Sequence, residues 1–275
     1  KDMKADDLVV LELSSFQLMD MTRSPQVAVV TNLAPNHLDV HKDMQEYVDA
    51  KKNIFRFQDA SGRLVLNADN AITATFRGNG STQFFSRQGK DADCTLEEGV
   101  ICCQGRKILD TRDILIPGVH NLENYMAAIL AVRGLVEEEN IRQVAKTFGG
   151  VEHRIELVRV KDGVRYYNDS IASSPSRTIA GLRSFLQKVL LIAGGYDKHI
   201  PYDVLGPEIC RHVKTLFING ATAQQIRAAV ESAPEYVPGS PEIVDCGDFT
   251  AAVACAVNAA RSGDTVLMSP ASAAF

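Results

Sequence analysis

Glu12 stands at the end of the apolar run 8–11, and it is followed by Asn36-His37-Leu38-Asp39-Val40-His41 and then by Lys51. A carboxylate, an imidazole and a lysine are thereby delivered from three successive segments. Glu12 and His37 could share a hard cation such as Mg²⁺, for which carboxylate oxygens are the expected protein ligands. An acid closing a buried strand also marks the edge where open α/β sheets place ligands, beyond the carboxyl ends of their strands. The plainer alternative is a helix-capping acid and a histidine in a polar loop, and spacing alone leaves both open.

The second half carries further candidates. Gly194-Gly195 follows a strand pattern and leads to Lys198, which reads either as a tight turn or as a cation meeting an anion at a sheet edge. Asn168-Asp169-Ser170 follows another strand and precedes Ser173-Ser174-Pro175, a helix start. Asp169 is either a cap or an acceptor for a ribose hydroxyl, beside backbone N–H groups that suit an anion. Asn121 and Asn124, three residues apart, share one helix face. Arg154 lies just past a glycine pair, where it reads as a surface ion-pair residue or as a bidentate cation for a phosphate.

At 275 residues the chain is long enough for two ordinary domains, and 45% hydrophobic with 23% charged residues is the composition of a globular protein. The net charge of −5 gives no electrostatic reason to expect nucleic acid or an anionic membrane as partner. No apolar stretch approaches the roughly 20 residues that span a bilayer. The charged opening residues are no signal peptide. The six cysteines show no metal-binding spacing and read as small core or surface residues of a reducing compartment, so the expected location is cytoplasmic. An apolar strand so near the first residue, and a strand and small-residue loop ending at Phe275, lead to the expectation of a fragment.

Hydrophobic periodicity predicts strands at 8–11, 27–31 and 63–67, a helix over 44–57, and a small antiparallel patch over 83–111. Helices are expected over 122–135 and 141–148, ending at Gly149-Gly150, which sets the expected domain boundary: 1–149 and 150–275. Beyond it, Asp162-Gly163 predicts a hairpin between 155–160 and 164–168. Helices at 176–185, 202–210, 224–232 and 249–261 then alternate with strands at 189–193, 215–218, 242–245 and 265–268. That order argues for an α/β fold with a doubly wound, Rossmann-like parallel sheet. Neither G-x-x-x-x-G-K-[ST] nor a G-x-G-x-x-G after a strand occurs, which argues against a plain dinucleotide-binding protein.

Taken in order, these motifs resemble the Mur ligase family. The residues that carry the resemblance are Glu12-Leu13-Ser14-Ser15-Phe16-Gln17-Leu18, Thr31-Asn32 with Asn36-His37-Leu38-Asp39, and Lys51. They continue with Gly118-x-His120-Asn121-x-x-Asn124, His153-Arg154, Asn168-Asp169-Ser170, Gly194-Gly195-x-x-Lys198 and Ser269-Pro270-Ala271-Ser272. The run after Glu12 points to the D-glutamate-adding members. The resemblance implies the later part of a central ATPase domain, without its phosphate loop, followed by a Rossmann-like amino-acid-binding domain. It implies ATP and Mg²⁺ as cofactors, with UDP-N-acetylmuramoyl-L-alanine and D-glutamate as small-molecule substrates of a monomeric enzyme.

By the same resemblance Glu12, His37 and Lys51, the last as a carbamate, hold Mg²⁺ and form the catalytic set. Ser14, Gln17 and His37 lie near the muramoyl-alanine, while Asn121, Asn124, Arg154 and Asp169 contact ATP. Ser173 and Lys198 meet the D-glutamate carboxylates. Two positions depart from the family pattern: Ile171 stands where many members have lysine, and Ala274 where they have serine. The implied reaction is amide-bond formation through an acyl phosphate, with ADP and phosphate released. The 275 residues alone are expected to be inactive. The rival readings are a sister Mur ligase, a folylpolyglutamate synthase-like ligase, or a non-catalytic ligand-binding module.

Overall fold

In a computed structural model of the chain, residues 3–4, 6–33, 41–197 and 200–273 are described. Their contacts group into two compact units, Lys1–Asp113 with Leu122–Gln143, and Ile114–Asn121 with Val144–Phe275. No helix among the described residues is long and apolar enough to cross a membrane.

The first unit begins with helix α1 (Ser15–Met19), strand β1 (Val27–Val30), α2 (Met44–Arg56) and β2 (Arg63–Asn67). Strands β3 (Ser81–Ser86), β4 (Cys94–Glu97), β5 (Val100–Cys103) and β6 (Arg106–Asp110) follow. They form a six-stranded sheet in the order β1-β2-β3-β4-β5-β6. β1 to β4 run parallel, and β5 and β6 fold back as antiparallel strands, the patch expected from the glycine-punctuated 83–111 segment. Leu64, Val65 and Leu66 are all buried, so β2 is covered on both faces, as central parallel strands are. On one face α2 packs Tyr47, Val48 and Phe55 against Leu64 and Leu66. Helices α3 (Val119–Val132) and α4 (Glu138–Thr147) complete the first half of the chain. Arg63 donates to the carbonyls of Leu130 and Arg133, both at 3.0 Å, satisfying acceptors that the end of α3 leaves open.

The second unit starts with an antiparallel hairpin, β7 (Glu156–Lys161) and β8 (Val164–Asn168). Its turn puts Asp162 at φ 52° and Gly163 at φ 77°, the paired positive values that a two-residue hairpin loop requires. Then follow α5 (Pro175–Leu182), β9 (Val189–Gly195), α6 (Leu205–His212), β10 (Val213–Gly220) and α7 (Ala223–Glu231). β11 (Glu242–Asp245), α8 (Phe249–Ala259) and β12 (Thr265–Met268) close the chain. The sheet order is β11-β10-β9-β12-β8-β7, parallel except for β7. Leu191, Leu216 and Leu267 pack against Leu182, Ile209 and Ile226 of α5, α6 and α7 on one face. Leu190, Ile192, Phe217 and Val266 pack against Ala252 and Ala256 of α8 on the other. This is the doubly wound α/β sheet that the alternating pattern predicts. Because β12 inserts between β8 and β9, the loops after these three strands meet at a topological switch point, where such sheets bind ligands.

Three expectations are corrected. Residues 8–11 form no strand: Leu8, Val9, Val10 and Leu11 are 74%, 56%, 96% and 68% exposed. An apolar run becomes a parallel strand only with a ladder partner and covering layers, and among the described residues β1 pairs with β2 alone. Second, the sequence pattern predicts no element between Glu12 and residue 27, and the structure places helix α1 there. Its signal was present as Ser14-x-x-Gln17, a capping box in which Ser14 Oγ accepts from the Gln17 amide and Gln17 Oε1 accepts from the Ser14 amide. Third, Cys94 and Cys103 are joined as a disulfide, although the sequence reads them as separate thiols. They stand directly opposite in the β4–β5 ladder with Cα atoms 4.1 Å apart, a proximity that register creates and sequence spacing hides. Cys102, Cys210, Cys246 and Cys255 carry free thiols.

The core of the second unit yields a direct test. Leu191→Ala, at a fully buried position on β9, should cost about 2–5 kcal/mol in urea unfolding. Leu186→Ala, at a fully exposed position, should stay within about 0.5 kcal/mol of wild type.

Candidate functional site

In the first unit the described candidates cluster around the start of α1 and the middle of α2. Glu12 is exposed in the segment leading to α1, and Lys51 is half-buried on α2. Lys51 Nζ donates to the Leu13 carbonyl at 3.4 Å. Burial holds its amine below the ordinary lysine value of 10.5, while the nearby Glu12 carboxylate partly offsets that effect. Ser14 and Gln17 stand exposed at the start of α1, with their side chains engaged in the capping box. His37 and Lys198 lie outside the described residues, as does Ala274.

Residues that the sequence reading passed over hold this corner in place. Asn53, buried on α2, donates to the carbonyls of Leu18 and Met19 at 2.9 and 3.1 Å, satisfying the end of α1. His41 is buried, with Nε2 2.9 Å from Ser15 Oγ and Nδ1 3.4 Å from Glu46 Oε2. Its ring stacks on Phe16 at 5.0 Å and meets Tyr47 edge-on. The capping box was the one signal that could have located this anchored helix.

Mg²⁺ fits this donor set on chemical grounds. Glu12 supplies a carboxylate, and a desolvated amine beside it is the form of lysine that can add CO₂ and become an oxygen ligand. Among the described residues no group of three or more His, Cys, Asp or Glu side chains converges on one point. Glu12 and Lys51 are the described part of the expected set.

In the second unit the candidates surround the switch point. Asp169 is only 3% exposed at the end of β8, and it does not cap α5. Its Oδ2 accepts from Ser269 Oγ at 2.7 Å, and its Oδ1 accepts from the Ile155 amide at 3.2 Å. Burial raises the Asp169 carboxyl above the ordinary value, opposed in turn by those two hydrogen bonds and by the charges of Arg154 and Arg177. Arg154 is exposed between His153 at φ 66° and Ile155 at φ 46°, two left-handed residues that are costly unless their surroundings hold them. They are held: the Ile171 amide donates to His153 O at 3.2 Å, and Asn168 Nδ2 lies 3.0 Å from His153 Nδ1. Ser173 is half-buried ahead of α5, whose first turn no side chain caps. Apart from that edge, Asn121 of the second unit and Asn124 of the first lie in the first turns of α3, with Asn121 Nδ2 donating to Pro117 O at 2.6 Å.

Gly194 and Gly195 are the last residues of β9 and not a turn. A Cβ on Gly194 would lie 1.9 Å from Asn219 O, and one on Gly195 2.4 Å from Ala273 O. Glycine is required here because the backbones of β10 and of the segment after β12 approach too closely for any side chain.

Two α/β units, the second doubly wound with a buried carboxylate, an exposed arginine and glycines at its carboxyl edge, define an α/β protein whose candidate site lies at a switch point. The Mur ligase middle domain matches residues 1–132, and the Mur ligase glutamate ligase domain matches residues 153–272. The chain belongs to the Mur ligase family. It is 53% identical to the UDP-N-acetylmuramoylalanine–D-glutamate ligase of Acetivibrio thermocellus, over 100% of this chain and 61% of that protein. The same-named protein of Clostridium beijerinckii is 48% identical over 98% of this chain and 60% of its own length. The chain thus spans about three-fifths of the length of these relatives. MurF from Acinetobacter baumannii shares the fold with a TM-score of 0.67 at 16% identity, over 90% of this chain and 57% of that one. E. coli FolC in complex with ADP does so with 0.61 at 19%, over 88% and 58%.

The depressed Lys51 amine has a consequence for stability. The cost of burying its charge is fully present below the folded pKa and vanishes above the unfolded value near 10.5, so stability rises with pH across that window. In CO₂-free buffer Lys51→Met should therefore exceed wild type in urea midpoint at neutral pH, and the gap should close as the pH approaches 10.5. A gap independent of pH would contradict the assignment of burial as the cause.

Proposed function

We propose that the protein carrying this chain is a cytoplasmic ATP-dependent ligase that adds D-glutamate to UDP-N-acetylmuramoyl-L-alanine in peptidoglycan precursor synthesis. The observation that carries this reading is the 53% identity, along the whole chain, to a relative named for that reaction. The domain boundary proposed with it is Gly149-Gly150, separating a catalytic domain (1–149) from an amino-acid-binding domain (150–275).

A carboxylate is a poor electrophile. Attack of the muramoyl-alanine carboxylate on the γ-phosphorus of ATP would give an acyl phosphate and ADP. The D-glutamate amine would then displace phosphate through a tetrahedral intermediate. Bound Mg²⁺ would screen the charge that builds up between the two anions. Glu12, His37 and Lys51 as a carbamate would hold that ion, and Ser14, Gln17 and His37 would border the muramoyl-alanine. Arg154 would supply the fixed guanidinium for a phosphate, Asp169 would accept from the ribose, and Asn121 and Asn124 would contact ATP. Ser173 and Lys198 would receive the D-glutamate carboxylates. Ile171 removes one cation from that end. Arg177, whose Nη1 donates to Ile171 O at 3.0 Å, is the cation this chain offers there.

The test is phosphate release from ATP by the full-length protein with UDP-N-acetylmuramoyl-L-alanine, comparing D-glutamate with L-glutamate, L-lysine and meso-diaminopimelate. Release that requires D-glutamate is the expected result, with none from the 275-residue chain alone. Release with another amino acid would make the protein a sister ligase. Release with none, from folded protein, would leave a ligand-binding module. Replacing Glu12 with Ala should lower kcat by at least about 100-fold, on the scale of losing one preorganised electrostatic partner.

A further inference from the structure

The segment after β12, residues 269–273, is held by two separate buried hydroxyl networks, one at each end. At its start Ser269 Oγ donates to Asp169 Oδ2 at 2.7 Å and lies 2.9 Å from Thr178 Oγ1 of α5. At its end Ser272 Oγ lies 2.8 Å from both Thr222 Oγ1 and Tyr202 Oη, and Thr222 Oγ1 accepts from the Gly195 amide at 3.1 Å. Asp169, Thr178, Tyr202, Thr222, Ser269 and Ser272 are each 4% exposed or less. Backbone bonds run beside both networks: the Asp169 amide to Met268 O, the Gly194 amide to Pro270 O, and the Tyr196 amide to Ala273 O. The segment therefore bridges the end of β8, which carries Asp169, and the end of β9, which leads to Lys198.

We propose that Ser269 and Ser272 are positioning residues that divide this work, Ser269 fixing the nucleotide-side carboxylate of Asp169 and Ser272 fixing the amino-acid side at the end of β9. The inference rests on the ligase reading for which ligand meets which end. Asp169 has one oxygen committed to Ser269 and the other to the Ile155 amide, which follows Arg154 directly. Loss of the Ser269 hydroxyl therefore releases both the carboxylate and the turn presenting Arg154. Ser272 touches neither. Its partners are Thr222 and Tyr202, and through Thr222 the Gly195 amide.

The test uses the full-length protein with Ser269→Ala and Ser272→Ala, measuring ADP affinity by calorimetry and KM for ATP and D-glutamate by phosphate release. One hydrogen bond corresponds to an effect of about three- to ten-fold. Ser269→Ala should raise the ADP Kd and the ATP KM by that factor and leave the D-glutamate KM within two-fold of wild type, on the order of experimental scatter. Ser272→Ala should do the reverse. The pH dependence supplies a second readout that a loss of packing would not move. The groups facing Asp169 are Ser269, the Ile155 amide, Arg154 and Arg177. Removing the Ser269 donor lets the carboxyl rise further, so the acidic loss of ADP affinity should begin at higher pH in Ser269→Ala than in wild type. Ser269→Thr, which keeps the hydroxyl, should restore the wild-type profile. If Ser269→Ala does not fold, Thr178→Val removes the other hydroxyl holding Ser269 and should change the ADP Kd alone. Equal effects of both serine variants on both ligands, or an unmoved ADP pH profile, would overturn the inference. Wild-type protein that binds ADP but turns over no amino acid would sink the ligase reading instead, and the ADP arm would still decide the role of Ser269.

Discussion

A carboxylate taken out of water must be surrounded by donors, and in the second unit that demand falls on Asp169. Desolvation of an ionised side chain costs several kcal/mol unless hydrogen bonds replace the lost water. Asp169 meets this with the Ser269 hydroxyl, the Ile155 amide and two nearby arginine charges. The four partners come from three parts of the fold: the segment after β12, the turn before β7, and α5. Gly181, on α5, completes the fit, since a Cβ there would come within 2.8 Å of Asp169 Oδ2. Satisfying one group thus brings together the elements that border the switch point. The same turn holds Arg154 between two left-handed residues.

The first unit solves a related problem with neutral groups. The short helix α1 ends in carbonyls without intrahelical partners, and Asn53 reaches across from α2 to donate to those of Leu18 and Met19. Gln58 does the same for the starts of β1 and β2, donating to Pro25, Gln26 and Arg63 carbonyls between 2.9 and 3.1 Å. These amides lock α1 and α2 into one assembly, so Glu12 before α1 and Lys51 on α2 stand as neighbours. The position of Lys51 follows from that lock: it is half-buried, with Nζ donating to the Leu13 carbonyl. Its amine loses part of its preference for the charged form for the same reason.

The second unit treats its two charged groups in opposite ways. Asp169 is buried among its donors, whereas Arg154 is exposed. Such pairing, a rigid buried acid beneath a solvent-facing cation, keeps the geometry of a binding edge fixed without filling it. The close backbone approach at Gly194 and Gly195 serves the same end, since only bare backbone lets β10 and the segment after β12 lie directly against the end of β9.

The sequence by itself determined the doubly wound second sheet, because alternating apolar periods of two and 3.6 residues can bury their faces only in that layered arrangement. It also determined the hairpin at Asp162-Gly163, where backbone sterics leave few alternatives, and the residue types from which a site could be built. Tertiary structure alone decided three things. The apolar run 8–11 is no strand, because a ladder needs a partner that local pattern does not reveal. Cys94 meets Cys103 because register, a non-local property, sets them opposite. Asp169, which spacing leaves between helix cap and ribose acceptor, is held by Ser269, a residue 100 positions away. Local sequence specifies backbone preference and burial tendency. Which distant groups satisfy a buried charge depends on how the sheet closes, and no short-range pattern encodes that.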